Sequence, residues 1–582
     1  MASENLKQTI REYENYIQVN GVDERVVKAY ARACAVAING EKDIQYGLQL
    51  TKRSKELTER YCIEQAGGTI WDLEKYAFEH KTTNKNILEL IDCFYSVLRL
   101  EAQHEVVDSF FRYIEHKREP KERFYMPRRK QLLKIGLVDA LQGMIDDKYD
   151  ILCISLIPGA GKTTIEKFFN AAVIGWYPKD FNLFYSHSGD ITRMYYDGIY
   201  DIVTNSDEYA WNEIFPDLYV TSTNAKTEQF NVGKYKPFPS VQCTSVGSKN
   251  AGKVRASKFL LVDDMIGGIE EALNPSILEK LWSKYSVDAR QRKIKDTDGK
   301  NCKEIHIATR WSVQDVIGRI QKMYEGNPRV KVIAAPDVDP VTGKSNFDYE
   351  FSGFDEDFFI DQQLLMDDIS YKCLYKQEPI EREGLLFPED KIRRYLNLPH
   401  GAPEIITGQC DTKGKGTDYF VMPVFQKFGE DYYCVDAVCD NTADYEMQYE
   451  NAANMLVNNE VIECEFERNA GGDRVAMEVN KRVEAKGWIC NITDVPTETN
   501  KEARIFQCSN WILQHVIFKD ASMYTPKEPY GVMMTLLKQY SVSGKKQLDD
   551  VPDVFSNFAL RITQGNRTAK VEAVINPFRR FG

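Results

Sequence analysis

A lysine and two threonines follow a short glycine-containing loop. Residues 158–164 have the sequence PGAGKTT and lie between a strand-like run, ILCISLI (151–157), and a helix-like run. Backbone N–H groups of such a loop and of the helix after it bind phosphate groups. Lys162 is expected to reach the β- and γ-phosphates of a nucleotide, and the Thr163 hydroxyl to hold Mg²⁺. Leu156 stands where the usual pattern has its first glycine, so the match is incomplete. The predicted nucleotide-binding residues of the loop are Gly159, Ala160, Gly161, Lys162, Thr163 and Thr164.

Two adjacent carboxylates end a second apolar run, FLLV (259–262). In ATPases with a phosphate-binding loop, one carboxylate at such a strand end holds Mg²⁺, and a neighbouring residue orients the attacking water. We therefore expect Asp263 to bind Mg²⁺ through water and Asp264 to polarise the attacking water. An Asp-Asp pair is common after apolar runs, so it predicts ATP hydrolysis only in combination with the loop at 158–164.

A basic segment, YMPRRKQ (125–131), precedes the loop. Gln131 is a candidate for reading the adenine edge through paired hydrogen bonds, and Arg128 or Arg129 for flanking the nucleotide. The alternative is a solvated basic patch, and the sequence does not separate the two.

Acidic residues also occur at the ends of predicted elements in the last third of the chain. Asp411 ends the run EIITGQC, Glu467 ends VIECEFE, and aspartates at 549–553 precede a helix-like run. Two neighbouring parallel strands and a helix can bring these residues together, and clustered carboxylates suit two Mg²⁺ or Mn²⁺ ions about 3.5–4 Å apart. Each acid alone is more often a solvated surface residue, but the order of elements favours a metal site. The predicted metal ligands of this region are Asp411, Glu467, Asp549, Asp550 and Asp553, and the choice among the last three stays open.

Several basic residues surround these acids in the sequence. They are candidates for a local DNA-binding groove, with the alternative that they balance nearby carboxylates. Asp418 is either a further metal ligand or a hairpin cap. The basic residues are Lys413, Lys415, Arg468, Arg474, Lys501 and Arg504.

The composition excludes several classes of protein. The chain has 582 residues, of which 43% are hydrophobic and 28% charged, so it is neither a disordered nor a fibrous protein. Its apolar runs are too short for a transmembrane helix, and the N-terminal stretch lacks the apolar core of a secretory signal. The 13 cysteines form no CxxC pair, which favours reduced thiols in a cytoplasm. The net charge of −12 still allows a local basic groove.

The pattern of apolar residues predicts three regions with different organisation. Residues 1–120 have helical spacing and form a helical accessory region without visible chemistry. Residues 121–385 alternate strands and helices, which predicts a parallel sheet, and 386–401 form a linker. Residues 402–565 follow the order βββαβαβα, typical of a ribonuclease-H-like nuclease, and a basic tail covers 566–582.

Together these motifs resemble the large terminase subunit of tailed bacteriophages, over residues 124–563. The resemblance includes the proline-glycine form of the loop and the Asp263–Asp264 strand followed by Glu270-Glu271-Ala272. Further parts are GSKNAGKVR (247–255), ATRWSVQDVIGR (308–319), YKQEP (375–379) and GLLF (384–387). It implies an α/β fold with a RecA-like ATPase domain, carrying an additional strand, before the nuclease domain.

The resemblance also implies roles for particular residues. Thr309 and Arg310, in the coupling segment, would end a strand beside the loop strand and sense the γ-phosphate. Arg255 is a candidate arginine finger acting on a neighbouring subunit, or else an ordinary phosphate or DNA contact. The family often carries an arginine inside the loop, and this sequence does not. The resulting catalytic set is Asp264, Arg255, Asp411, Glu467 and Asp550.

The implied function is a viral DNA-packaging motor in the host cytoplasm. ATP hydrolysis would move double-stranded DNA into a procapsid, and the nuclease would cut concatemeric DNA. The implied partners are a portal protein, a small terminase subunit and further copies of the chain in a ring. The alternatives are a helicase–nuclease of repair or transposition, a non-enzymatic virion scaffold, and an ATP-gated DNA-binding module with an inactive nuclease.

Overall fold

The computed structural model describes residues 3–246, 254–272, 274–366, 368–379, 386–412, 418–442, 444–468, 472–496, 501–541 and 547–575. The chain forms two compact units. The first contains residues 1–268, 276–366 and 371–380, and the second contains 269–275, 367–370 and 381–582. The predicted domain boundaries within these units stay predictions. Among the described helices, none is both long and apolar enough to cross a membrane.

Residues 4–114 are largely helical, as their spacing predicts. Side chains cap several of these helices: the Asp23 carboxylate accepts from Val26 N, and Thr69 and Asp72 form a capping box. The helices before the first strand are α1 (Glu4–Asn20), α2 (Glu24–Ala35), α3 (Ile44–Ala66), α4 (Ile70–Glu79), α5 (Lys85–Gln103), α6 (Val107–Ile114), α7 (Arg129–Lys134) and α8 (Leu137–Ile145).

Strands and helices then alternate up to residue 371. Four short strands here, β1, β2, β6 and β7, are buried along their whole length, as strands covered on both faces must be. The elements are β1 (Ile151–Ser155), α9 (Lys162–Trp176), β2 (Asn182–Ser186), α10 (Gly189–Thr204), α11 (Trp211–Ile214), β3 (Val220–Asn224), β4 (Gln229–Val232), β5 (Val241–Ser245), β6 (Phe259–Asp263), α12 (Ile269–Ala272), α13 (Pro275–Ser283), β7 (Lys303–Ile307), α14 (Val316–Met323), β8 (Val330–Ala334), α15 (Glu356–Leu365) and α16 (Asp368–Tyr371).

The first sheet has the strand order β3-β4-β5-β2-β6-β7-β1-β8. From β5 to β8 all neighbours are parallel, and β3, β4 and β5 pair antiparallel. Strand β7 lies between β1, which precedes the glycine loop, and β6, which ends at Asp263. A strand that ends just before Thr309 thus lies beside the loop strand, as the sequence analysis expected. It places the loop, Asp263 and Thr309 at one edge of the sheet, where parallel strands leave their carboxyl ends.

The second sheet has the strand order β14-β13-β10-β11-β12-β15-β9. Strands β10, β11 and β12 form the predicted antiparallel meander, and β13 and β14 continue the sheet parallel to β10. The α/β fold class and the order βββαβαβα are thereby confirmed. The elements are β9 (Arg394–Tyr395), β10 (Ile405–Cys410), β11 (Phe420–Phe428), β12 (Asp431–Asp440), α17 (Tyr445–Asn458), β13 (Glu463–Glu467), α18 (Gly472–Ala485), β14 (Asn491–Val495), α19 (Lys501–His515), β15 (Val516–Lys519), α20 (Pro529–Gln539) and α21 (Asp550–Ile575).

Candidate active sites

The glycine loop joins β1 to α9, and two of its glycines are required by its shape. Gly159 and Gly161 have φ of 78° and 91°, in the region that side chains disfavour. A Cβ on Gly161 would lie 2.3 Å from Cζ of Phe124. Helix α9 begins at Lys162, so the loop leads directly into a helix N-terminus. The backbone N–H groups of the loop and of this first helical turn are therefore available to bind phosphate. The Lys162 ammonium donates to the carbonyls of Leu156, at 2.7 Å, and Ile157.

Thr163 and Asp263 meet across the edge of the sheet. The Thr163 hydroxyl donates to Asp263 Oδ2 at 2.8 Å. This pair of oxygens fits the predicted Mg²⁺ site of a nucleotide complex, because Mg²⁺ takes one or two protein oxygens together with phosphate oxygens.

The two aspartates lie in an environment that disfavours negative charge. Burial and the neighbouring Asp264 raise the pKa of Asp263 to about 7, although Thr163 opposes the shift. Burial also raises the pKa of Asp264 and lowers the pKa of Lys162. A cation among these groups would stabilise both carboxylates, so the donor set fits a divalent ion.

The backbone just after β7 positions the Asp264 side chain by a hydrogen bond. Its Oδ1 accepts from Thr309 N at 3.1 Å, and its own carbonyl bonds to the His187 ring at Nδ1. Its φ of 38° is unusual for a residue with a side chain, so the backbone here is constrained by its surroundings. Thr309 therefore contacts Asp264 through its backbone N–H.

All three residues proposed near the nucleobase are hydrogen-bonded within the protein itself. Arg129 forms a two-pronged ion pair with Asp108, with both distances 2.8 Å, and the Gln131 side chain donates to the Asp348 carbonyl. The Arg128 guanidinium donates to the Phe124 carbonyl at 3.0 Å and to Ser352 Oγ at 3.2 Å, and it lies over two aromatic rings that contact the glycine loop. It is 4.4 Å from the Phe124 ring centroid and 4.9 Å from that of Tyr349, whose hydroxyl donates to Ala160 O.

Arg310 of the coupling segment and Arg255, the candidate arginine finger, are also hydrogen-bonded within the chain. Arg310 donates to Asp315 Oδ2 at 2.9 Å and to Gln321 Oε1 at 2.5 Å, and it is buried. Arg255 donates to the carbonyl of Val254 at 2.9 Å. The sequence analysis gave no individual role to Gln377, whose side chain accepts from Ser155 at the end of β1.

Three carboxylates converge in the second unit. Ligand oxygens of Asp411, Glu467 and Asp553 lie within 4.8 Å of one another. Asp411 directly follows β10, Glu467 ends the parallel neighbour β13, and Asp553 lies in the first turn of α21. Burial and the charge of Asp553 raise the pKa of Asp411 well above its usual value. An all-oxygen cluster that disfavours its own negative charge fits a hard divalent cation.

The other two aspartates of the 549–553 group lie outside this three-residue cluster in the described structure. Asp550 Oδ2 accepts from Tyr419 N at 2.8 Å, and Asp549 pairs with the Lys501 ammonium at 2.8 Å. The structure thus brings Asp553 to Asp411 and Glu467 rather than Asp550. Asn557, one turn after Asp553, donates to Glu467 Oε2 at 3.1 Å, and the sequence analysis gave it no role.

Two of the residues expected in a DNA groove bind these carboxylates. Arg504 donates to Asp553 Oδ1, and Lys501 lies 3.2 Å from Asp553 Oδ2. Burial lowers the pKa of Lys501, but the charges of Asp553 and Asp549 outweigh it and raise the pKa above its usual value. Arg468 pairs with Asp494. Arg504, Lys501 and Arg468 therefore balance nearby acids in the structure, which is the alternative that the sequence analysis gave to a DNA-binding groove.

Some sequence motifs lie outside the described residues. They are the segment 247–253 before Arg255, the side chain of Glu270, residues 384–385 of GLLF, the turn 413–417 with Lys413 and Lys415, residues 469–471, and the final 576–582.

Comparisons with known proteins found similar solved structures. No family model and no curated protein matches the chain. The large terminase of bacteriophage HK97 is 10% identical, with a TM-score of 0.35 over 80% of this chain and 99% of that one. The large terminase of a thermophilic bacteriophage is 11% identical, with a TM-score of 0.31 over 76% and 99%. The human cytomegalovirus terminase nuclease domain is 10% identical, with a TM-score of 0.25 over 30% and 95%.

Proposed function

We propose that this chain is a DNA-packaging motor subunit that hydrolyses ATP and cuts DNA with a metal-dependent nuclease. The supporting observation is that one chain carries both constellations, each at the edge of its own sheet. The Thr163–Asp263 pair stands beside a glycine loop, and the Asp411, Glu467 and Asp553 carboxylates converge in the second unit. Asp411, Glu467 and one aspartate of the 549–553 group are the residues that the terminase resemblance implies for such a metal site, with Asp553 rather than Asp550 in the third position.

In the proposed ATPase, the loop backbone binds the phosphates and Lys162 leaves its carbonyl partners for the β- and γ-phosphates. Thr163 and Asp263 would hold Mg²⁺, which neutralises charge on the transferred phosphoryl group. Asp264, oriented by Thr309 N, would accept a hydrogen bond from the attacking water. Arg255 of one subunit would act as the arginine finger of the next, in a ring of copies.

In the proposed nuclease, Asp411, Glu467 and Asp553 would hold the divalent ion, which activates water and stabilises the leaving oxygen. Asn557 keeps Glu467 in place through its hydrogen bond. The substrate would be double-stranded concatemeric DNA. The motor would work in the host cytoplasm, docked on a procapsid through a portal protein and guided by a small terminase subunit.

Plasmid cleavage and ATP hydrolysis by matched variants test the proposal. With Mn²⁺ or Mg²⁺, Asp411→Ala should lose cutting by about 100-fold or more while keeping ATP hydrolysis, since it removes a metal ligand. Lys162→Ala should keep cutting and lose ATP hydrolysis. Equal cutting by wild type and Asp411→Ala would remove the nuclease assignment, and ATP hydrolysis by Lys162→Ala would remove the ATPase assignment.

A further inference from the structure

Arg504 on α19 is a buried arginine that contacts one of the proposed metal ligands. Only 3% of its side chain and 3% of the Asp553 side chain are exposed. The guanidinium donates twice to Asp553 Oδ1, through Nε at 3.1 Å and through Nη2. Two charge-assisted N–H donors on one oxygen restrict the orientation of the carboxylate more than a single contact does.

Ser556 contacts the same end of the Asp553 side chain. It is fully buried on α21, one turn after Asp553, and its hydroxyl donates to the Asp553 carbonyl at 2.7 Å. The same hydroxyl oxygen lies 3.3 Å from Asp553 Oδ1 and accepts from Arg504 Nε at 3.2 Å. Arg504, Ser556 and Asp553 thus form a closed, buried network that joins α19 to the first turns of α21.

The two carboxylate oxygens of Asp553 differ in what they can still accept. Oδ1 receives two N–H groups from Arg504, one for each of its lone pairs. Oδ2 contacts the Lys501 ammonium at 3.2 Å, and within the described residues it accepts no other hydrogen bond. One lone pair of Oδ2 therefore remains for a metal ion that Asp553 shares with Asp411 and Glu467.

We propose that Arg504 is a positioning residue of the nuclease site, which holds Oδ1 of Asp553 and so presents Oδ2 to the divalent ion. This rests on the proposed nuclease function, and it holds for any number of ions at the carboxylate cluster. The charge of Arg504 by itself would repel a metal cation. Its benefit to metal binding therefore comes from fixing the orientation of Asp553.

The direction of the change in Mn²⁺ affinity separates positioning from charge balance. If Arg504 only balanced the carboxylates, Arg504→Gln would make the cluster more negative and would strengthen Mn²⁺ binding. If Arg504 orients Asp553, Arg504→Gln should weaken Mn²⁺ binding by about 10- to 100-fold, as is typical when a residue that orients a metal ligand is lost. The electron paramagnetic resonance signal of free Mn²⁺, titrated against the full chain without nucleotide, measures this affinity.

Two further variants set the reference points. Asp411→Asn/Asp553→Asn gives the baseline for ions bound elsewhere, and Mn²⁺ binding equal to wild type in this variant would show that the proposed metal site itself is wrong. Arg393→Gln is the matched control, because Arg393 forms a similar pair with Asp431. That pair lies at the opposite end of the β11–β12 hairpin from Asp411, so Arg393→Gln should leave the affinity unchanged.

Arg504→Gln leaves a buried carboxylate without its partner, which can impair folding, so circular dichroism accompanies each titration. Arg504→Lys keeps the charge and avoids this problem, but an ammonium does not reproduce the planar fork of a guanidinium. It should therefore weaken Mn²⁺ binding by a smaller factor than Arg504→Gln does. Unchanged or tighter Mn²⁺ binding in either Arg504 variant would overturn the positioning role.

Discussion

Glu166 is a buried acid that the proposed reactions leave unused. It lies on α9, one turn after Thr163, and is 2% exposed. Neither carboxylate oxygen has a hydrogen-bond partner among the described residues. Burial and the nearby charge of Asp263 raise the pKa of Glu166 well above its usual value, so folding favours the protonated, neutral form of this side chain.

Replacing Glu166 with Gln should stabilise the protein increasingly as the pH rises. The unfolded chain loses the Glu166 proton above about pH 4.5, whereas the folded chain keeps it, so the wild type loses stability with rising pH. Gln cannot ionise, so its advantage should grow by about 1.4 kcal/mol per pH unit until the raised pKa is reached. Urea unfolding at about pH 5 and about pH 7 measures this difference.

The control is Glu279→Gln, because Glu279 is 67% exposed in its pair with Arg319 and should show no such gain. A Glu166→Gln advantage that stays constant between the two pH values would mean that Glu166 is ionised in the folded protein.

The types and approximate positions of the site residues follow from sequence, but their individual partners do not. The carboxylates at strand ends were identifiable because strand ends meet at one edge of a sheet. The choice of Asp553 over Asp550 depends on where α21 begins and which way its first turn faces. The contact of Lys501 with the aspartates depends on α19 packing beside α21, and no local pattern encodes that packing.

At the scale of elements, a buried ion pair links the end of β7 to α14. Asp315 caps α14 by accepting from Gly318 N at 2.7 Å, and it also accepts from Arg310. Burial raises the pKa of Asp315, although the Arg310 charge opposes the shift. The ion pair thus joins Asp315, the cap of α14, to Arg310, the residue directly after Thr309.

Arg310→Ala should lower the free energy of unfolding by about 3–5 kcal/mol, because Asp315 would be left as a buried charge without its partner. Chemical unfolding measures the loss. The matched control is Arg319→Ala, which breaks the more exposed pair with Glu279 and should cost about 1 kcal/mol or less. Similar losses in the two variants would show that the Arg310–Asp315 pair has no special structural role.

The predicted elements are confirmed where apolar runs mark them and missed where they do not. Strands β1 and β6 match the apolar runs ILCISLI and FLLV of the sequence analysis. The β3–β4 hairpin was missed, because the residues of β3, VTSTN, are largely exposed and mostly polar, so no apolar run marks the strand. The predicted order βββαβαβα did not include β15, whose four residues follow α19 without a loop.

At the scale of the whole molecule, the N-terminal helices share a hydrophobic core with the first sheet. Phe110 of α6 is fully buried and packs on Trp176 at the end of α9, with ring centroids 5.7 Å apart. The Trp176 indole N–H donates to the Ala102 carbonyl at 2.7 Å. The second unit has separate apolar clusters, one of which contains Phe555 of α21.

Phe110→Ala should therefore destabilise the first unit, which carries the proposed nucleotide site, and leave the second unit unchanged. Removing a buried phenyl ring costs about 3–5 kcal/mol. Differential scanning calorimetry of the full chain should show one transition at lower temperature, accompanied by weaker nucleotide binding near that temperature. Phe555→Ala, the matched control, should instead lower the other transition and impair metal-dependent cutting. If Phe110→Ala leaves the nucleotide-stabilised transition in place, residues 3–114 form an appendage that does not support the ATPase fold.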